Sequence, residues 1–261
     1  MENSKIQWTG STVNFWSGCT KVSAGCKNCY MHRIKEQKGQ NPDIVYRASD
    51  TRFYEALNWE VGRKIFTCSM SDFFIEEADG WREEAWDVIR KTPQHTWQIL
   101  TKRPERVLDC LPADWGEGWN NVWLGITIEN QDCMHRATTL GNVPAFIKFI
   151  SAEPLLGELD LSIDEHGKAF LENFHWCIIG GESGDEKDGV PHYRECKQEW
   201  IEKLITDTKG SQVKIFVKQM GTHLGKKMNM SGFHGDNIWK FPDHLKIREY
   251  PDATGKLKAC A

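Results

Sequence analysis

No apolar run in the sequence approaches the roughly 20 residues that a membrane helix needs, so a membrane-spanning protein is not expected. Met1-Glu2-Asn3-Ser4-Lys5 leads into no apolar stretch, and no secretory signal is expected either. Positive charge is not in excess: 33 Lys and Arg against 37 Asp and Glu leave a net charge of −4. A chain of that balance does not coat nucleic acid by bulk charge, although a confined basic groove (Lys102, Arg103, Lys214, Lys218, Lys226 and Lys227) is compatible with it. P-loop, G-x-G-x-x-G, G-x-S-x-G and H-E-x-x-H motifs are all missing. Phosphate-loop, dinucleotide, serine-hydrolase and zincin chemistry therefore have no foothold. Low-complexity tracts are missing too, and a chain of 261 residues with 39% hydrophobic content can close a sizeable core. Nine cysteines, an odd number, do not make a disulfide framework, and a reducing, cytoplasmic location is the expectation.

What is present is a repeated alternation of short apolar strands and amphipathic helices. Strands are predicted at 13–16, 65–69, 97–100, 122–126, 146–150, 176–179 and 213–217. Helices are predicted over 29–38, through Trp81, Ala85, Val88 and Ile89, and through Val107, Leu108 and Leu111. Two more carry Cys133, Ala137 and Leu140, and Trp200, Ile201, Leu204 and Ile205. Strands separated by helices predict a parallel sheet of the α/β class. About seven such units fit a TIM-like, partial β/α barrel of about 6–7 parallel strands, with a doubly wound open sheet as the alternative. Residues 1–219 form the barrel; from Met220 the pattern fades, and 220–261 reads as a capping tail of the same domain. Residues 185–189 read as a solvated loop.

Nearly every predicted strand ends in polar or glycine residues, and parallel α/β folds place their sites beyond the carboxyl ends of the strands. Candidate binding residues are therefore Ser69 and Asp72, Lys102 and Arg103, Thr127 and Glu129, Glu153, Gly180, Gly181 and Glu182, and Lys218 and Gln219. Glu153 and Glu182 suit a ribose hydroxyl or an amino group. Lys102 and Arg103 suit a carboxylate or phosphate, and a cation at a helix start opposes the helix dipole. The glycines permit close backbone approach. No catalytic residue is assigned.

Three cysteines are crowded together after the first strand: Cys19, Cys26 and Cys29, in a C-x6-C-x2-C pattern followed by Tyr30. Gly18, Ser23, Gly25 and Asn28 let this loop curl. Three thiolates can join His32 around a structural zinc. They can instead hold a [4Fe–4S] cluster with one iron left open, the arrangement that binds S-adenosylmethionine and cleaves it to a 5′-deoxyadenosyl radical. Unliganded thiols are the third possibility. A position beside the other polar strand ends favours the cluster over a structural zinc.

Several segments together identify a family likeness. They are Asn14-Phe15-Trp16-Ser17-Gly18-Cys19 with Cys26-Lys27-Asn28-Cys29-Tyr30, Cys68-Ser69-Met70-Ser71-Asp72, and Leu100-Thr101-Lys102-Arg103-Pro104-Glu105-Arg106. The set continues with 124–130, 151–156, Gly180-Gly181-Glu182-Ser183-Gly184 and Lys218-Gln219. Over nearly its whole length the chain resembles the phage Gp37/Gp68-like family, a family of unknown function. The resemblance implies a TIM-like, radical S-adenosylmethionine type of enzyme in a phage-infected or prophage-bearing bacterial host, with a [4Fe–4S] cluster and S-adenosylmethionine as cofactors. Two features depart from the wider superfamily. Its usual motif is C-x3-C-x2-C, and its Gly-Gly-Glu segment follows the second strand, whereas Gly180-Gly181-Glu182 follows a later one; that role is not transferred. The expected partners are an electron donor and a small-molecule, nucleotide or nucleic-acid substrate undergoing modification or repair. The alternative function is a zinc- or iron–sulfur-stabilised, non-catalytic binding module for nucleic acid or a protein partner.

Overall fold

The computed structural model describes residues 2–162, 171–230, 232 and 234–252. The end of the predicted tail, 253–261, lies outside the described residues, and Cys260 with it. The chain divides into two compact units, Met1–Ile126 with Asn142–Ile147, and Thr127–Gly141 with Lys148–Ala261.

The first unit runs β1 (Ser11–Val13), β2 (Trp16–Ser17), α1 (Tyr30–Gln37), β3 (Tyr46–Arg47), α2 (Asp50–Phe53), β4 (Lys64–Thr67), α3 (Asp79–Arg90), β5 (Thr96–Thr101) and β6 (Val122–Thr127). Its sheet has the order β1-β4-β5-β6, with each pair parallel. The predicted first strand is interrupted at Asn14. That side chain is used against the chain after β4: Oδ1 accepts from the Met70 backbone N–H (2.8 Å) and Nδ2 donates to Ser69 Oγ (3.2 Å). The backbone then leaves the sheet and forms the antiparallel β2–β3 pair, with Trp16 opposite Arg47. α3 buries Ala85, Trp86, Val88 and Ile89, the stripe that a period of 3.6 prescribes. Trp86 meets Phe73 at 4.8 Å and Trp115 at 5.6 Å between ring centroids; Phe15 meets Phe53 at 4.8 Å and Trp97 at 5.7 Å. These rings pack α2, α3 and the segments after β1 and β4 against β5. The predicted helix through Leu108 is instead two short 3-10 turns, and Leu108 is exposed.

The second unit carries α4 (His135–Gly141), β7 (Ile147–Ala152), β8 (Trp176–Gly180), β9 (Glu186–Lys187), β10 (Val190–Pro191), α5 (Gln198–Asp207), β11 (Lys214–Gln219) and α6 (Gly221–Lys227). Its sheet has the order β7-β8-β11, again parallel. β9 and β10 form an exposed hairpin where a plain loop is predicted, turning through Asp188 (φ 52°) and Gly189 (φ 75°). Two successive positive-φ residues match the twist of a two-residue hairpin. The predicted tail begins with a helix, α6. Its glycines read as loop signals, yet they serve packing: a Cβ on Gly221 would lie 2.6 Å from the Gly181 carbonyl carbon, and one on Gly225 would lie 2.9 Å from Gly235 Cα. All seven predicted strands are present, and among the described residues no helix is long and apolar enough to cross a membrane.

Candidate functional site

Parallel strands share a carboxyl edge. In the first unit that edge collects the 14–29 loop after β1, Cys68–Asp72 after β4 and Lys102-Arg103 after β5. Gly18 sets the entry to the cysteine loop. Its φ is +111°, and a Cβ there would lie 2.1 Å from the Ile44 carbonyl oxygen, so only glycine lets the two backbones pass. Gly18 N–H donates to the Met70 carbonyl (3.0 Å) and Cys19 N–H to the Pro42 carbonyl (3.0 Å). A 3-10 turn, Ala24–Cys26, follows, and Cys29 immediately precedes α1, its carbonyl accepting from Arg33 N–H (3.2 Å).

Cys19, Cys26 and Cys29 are free thiols, each half-buried on this one loop. Burial, assisted by the Asp72 charge and opposed by Arg103, pushes the Cys19 thiol up to about 11. Three soft sulfur donors from one loop fit an iron–sulfur cluster or zinc by donor chemistry. Among the described residues no three His, Cys, Asp or Glu side chains already form a group able to hold a metal ion, so the thiols are gathered on the loop without a preformed nest. His32 is buried and hydrogen bonds to the Cys19 backbone; burial, then Lys21, lowers its pKa.

Asp72 and Arg103 lie against that loop, both buried. Asp72 Oδ1 accepts from Thr101 Oγ1 (2.7 Å) and Phe74 N–H (3.0 Å), while Oδ2 accepts from Lys102 N–H (2.9 Å). Arg103 Nη1 stands 3.3 Å from Asp72 Oδ2 and 3.6 Å from Cys19 Sγ; Nη2 donates to the Thr20 carbonyl (3.0 Å) and to Thr20 Oγ1 (2.8 Å). Burial works against the guanidinium charge, but Asp72 and Cys19 outweigh it and raise the Arg103 pKa. Ser69 bonds Asn14, and its carbonyl accepts from the Tyr30 hydroxyl. The Lys102 side chain stays half-exposed.

In the second unit the carboxyl edge brings together Glu153, Gly180, Gly181, Lys218 and Gln219. Lys218 Nζ pairs with Glu153 Oε1. A Cβ on Gly180 would lie 3.2 Å from both Glu153 Cδ and Gln219 Cγ, and Gln219 Nε2 donates to the Gly181 carbonyl (2.8 Å). Two other candidates are held inward. Glu129 is fully buried, 2.9 Å from Arg136 Nη1, which also donates to the Thr127 carbonyl (2.9 Å). Glu182 is buried, accepting from the Arg194 backbone N–H (2.8 Å) and from its Nε (2.8 Å). Sequence reasoning did not single out Thr20, Arg136 or Arg194. A buried carboxylate demands a cation, but which cation answers is decided by tertiary structure, and no local spacing marks these three.

Residues 3–254 match the family described as "Protein of unknown function (DUF5131)". No curated protein matches the chain. Among solved structures, the chain is similar to a cysteine-to-serine mutant of spore photoproduct lyase at 14% identity and a TM-score of 0.52, covering 82% of this chain and 78% of that one. It is also similar to spore photoproduct lyase complexed with dinucleoside spore photoproduct, at 12% identity and a TM-score of 0.50, covering 77% and 74%. At such identities the likeness is one of fold: an α/β, partial TIM-like β/α barrel.

Proposed function

The chain belongs to the DUF5131 family of proteins of unknown function, and from the site it builds we propose that it is an iron–sulfur enzyme that reductively cleaves S-adenosylmethionine to drive radical chemistry on a nucleotide or nucleic-acid base. Cys19, Cys26 and Cys29 would hold the cluster. Held by these three thiolates, a [4Fe–4S] cluster would bind S-adenosylmethionine and supply the electron for its cleavage. The carrying observation is the placement of three free, half-buried thiols on one loop at the carboxyl edge of parallel strands. The fold likeness adds to it.

The chain's own residues do the rest. Gly18 and the backbone bonds of Gly18 and Cys19 fix where the loop leaves the sheet. The buried rings of Phe15, Phe73, Trp86 and Trp97 pack the segments after β1 and β4 against α3 and β5. On the second unit's edge, the Glu153–Lys218 pair offers an acceptor and a donor, and Gly180 leaves just enough space for the Glu153 and Gln219 side chains to lie against its backbone. The substrate class follows spore photoproduct lyase, whose complex holds dinucleoside spore photoproduct. Base chemistry in a duplex requires extruding the base, and the net charge of −4 favours a nucleotide or a short single-stranded stretch over long duplex.

The test is oxygen-free reconstitution with iron and sulfide, then reductant and S-adenosylmethionine. A loaded protein should release methionine and 5′-deoxyadenosine, and Cys26→Ala should release neither. A fully loaded wild-type protein that leaves S-adenosylmethionine intact overturns the assignment.

A further inference from the structure

Arg103 is the candidate whose surroundings differ most from what its sequence position suggests. At a strand end it looks like an anion receptor. In the structure its guanidinium is buried and its hydrogen-bonding capacity is turned on the protein itself. One nitrogen reaches the Cys19 sulfur and the Asp72 carboxylate; the other takes both oxygens of Thr20. Asp72 is in turn fixed by Thr101 Oγ1 and by the backbone N–H groups of Lys102 and Phe74. Three strand ends are thus tied together: the loop after β1 supplies Cys19 and Thr20, the segment after β4 supplies Asp72, and the segment after β5 supplies Arg103.

We infer that Arg103, held by Asp72, is a positioning residue for the cysteine loop that also donates a hydrogen bond to the sulfur of one cluster-holding cysteine, and so sets the cluster's reduction potential. The first half stands on the geometry alone; the second rests on the iron–sulfur assignment above. A planar fork is suited to this place because four acceptor atoms on three residues are served by one side chain, one more than the three N–H donors of an ammonium. A donor on a ligating sulfur, with a positive charge behind it, stabilises the reduced cluster and raises its potential. Arg103 is therefore withdrawn from substrate recognition.

Two readouts test this, one without metal and one with it. In metal-free protein, hydrogen exchange at the Gly18–Thr20 amides should quicken about tenfold or more in Arg103→Gln, because a charge-assisted network is lost. Arg103→Lys should be only partly protected, and Thr20→Val, which removes one acceptor and leaves the Asp72 pair intact, should show a smaller change in the same direction. In loaded protein, an electron-resonance redox titration should place the Arg103→Gln cluster at a lower potential than wild type. Unchanged loop exchange in a folded Arg103→Gln protein overturns the clamp. An unchanged potential in a fully loaded variant overturns the sulfur-donor role. Failure of wild type to load any cluster strikes the iron–sulfur assignment and the potential-setting role together, and leaves the metal-free exchange experiment to decide the clamp.

Discussion

Single residues in this protein carry charges deep in the fold, and their cost is visible in what surrounds them. Glu129 has no exposed surface and sits 2.9 Å from Arg136 Nη1, itself nearly buried. Removing one member of such a pair strands the other, at about 3–5 kcal/mol, whereas replacing both by apolar groups is far cheaper. Arg136→Met should therefore cost about 3–5 kcal/mol in urea denaturation, and Glu129→Leu combined with Arg136→Met should recover most of it. An Arg136→Met loss under 1 kcal/mol would show that the pair is not what holds this carboxylate. His95 makes the opposite kind of statement. Its ring is buried, Nε2 meets the Ala56 carbonyl (3.2 Å), and burial lowers its pKa below the ordinary 6.5. The unfolded chain therefore takes up this proton at a higher pH than the folded one. The histidine's contribution to stability is complete above pH 6.5 and drains away as pH falls toward its folded value, at no more than about 1.4 kcal/mol per pH unit. Unfolding free energies measured between pH 7.5 and 5.5 should decline, and His95→Gln should flatten the slope. An equal slope in both proteins would assign the decline to other groups.

At the scale of elements, glycines separate into two populations that composition cannot tell apart. Gly181 follows β8, and a Cβ there would lie 2.3 Å from the Met220 carbonyl oxygen, a backbone atom that cannot swing away. Gly80 lies in the first turn of α3, where a Cβ meets nothing within 4 Å. Gly181→Ala should lose about 1–3 kcal/mol through overpacking. Gly80→Ala should gain about 0.5–1 kcal/mol through helix propensity and a stiffer unfolded chain. Opposite signs in one denaturation series check both; equal signs would mean that the backbone near Gly181 gives way. The same distinction explains what was legible in the sequence. Strands and the α3 stripe were readable because burial imposes a period that composition records. α6 was not, because Gly221 and Gly225 carry close backbone contacts and mimic loop punctuation. The break in the first strand was hidden because Asn14 turns on Met70 and Ser69, far along the chain. At the candidate site the crowding of three cysteines and their position after the first strand were readable, while the inward commitment of Arg103, Glu129 and Glu182 was not, since each depends on a partner that only the folded chain delivers.

Across the whole molecule, cysteine is the residue whose surroundings differ most from place to place, and this gives the widest test. Cys68, Cys177 and Cys196 are buried in cores, and burial pushes Cys177 and Cys196 up to about 12, with Cys68 raised further. A thiol at 12 has roughly one molecule in ten thousand ionised at pH 8, and the thiolate is the reactive form. These three should stay unlabelled by iodoacetamide until the chain is unfolded. Cys26 and Cys29 are half-buried on the loop and should label first in metal-free protein, with Cys19 slower because burial raises it to about 11. Cys110 is also half-buried but far along the chain from the loop, next to Arg106, and serves as an internal reference. Loading with iron and sulfide should protect Cys19, Cys26 and Cys29 together and leave Cys110 unchanged, because a shared cluster consumes all three thiolates at once. Peptide mass spectrometry of differentially alkylated protein reads every site in one experiment. Protection of only one or two of the trio would exclude a three-cysteine cluster, since no subset of these thiols can leave a single iron open.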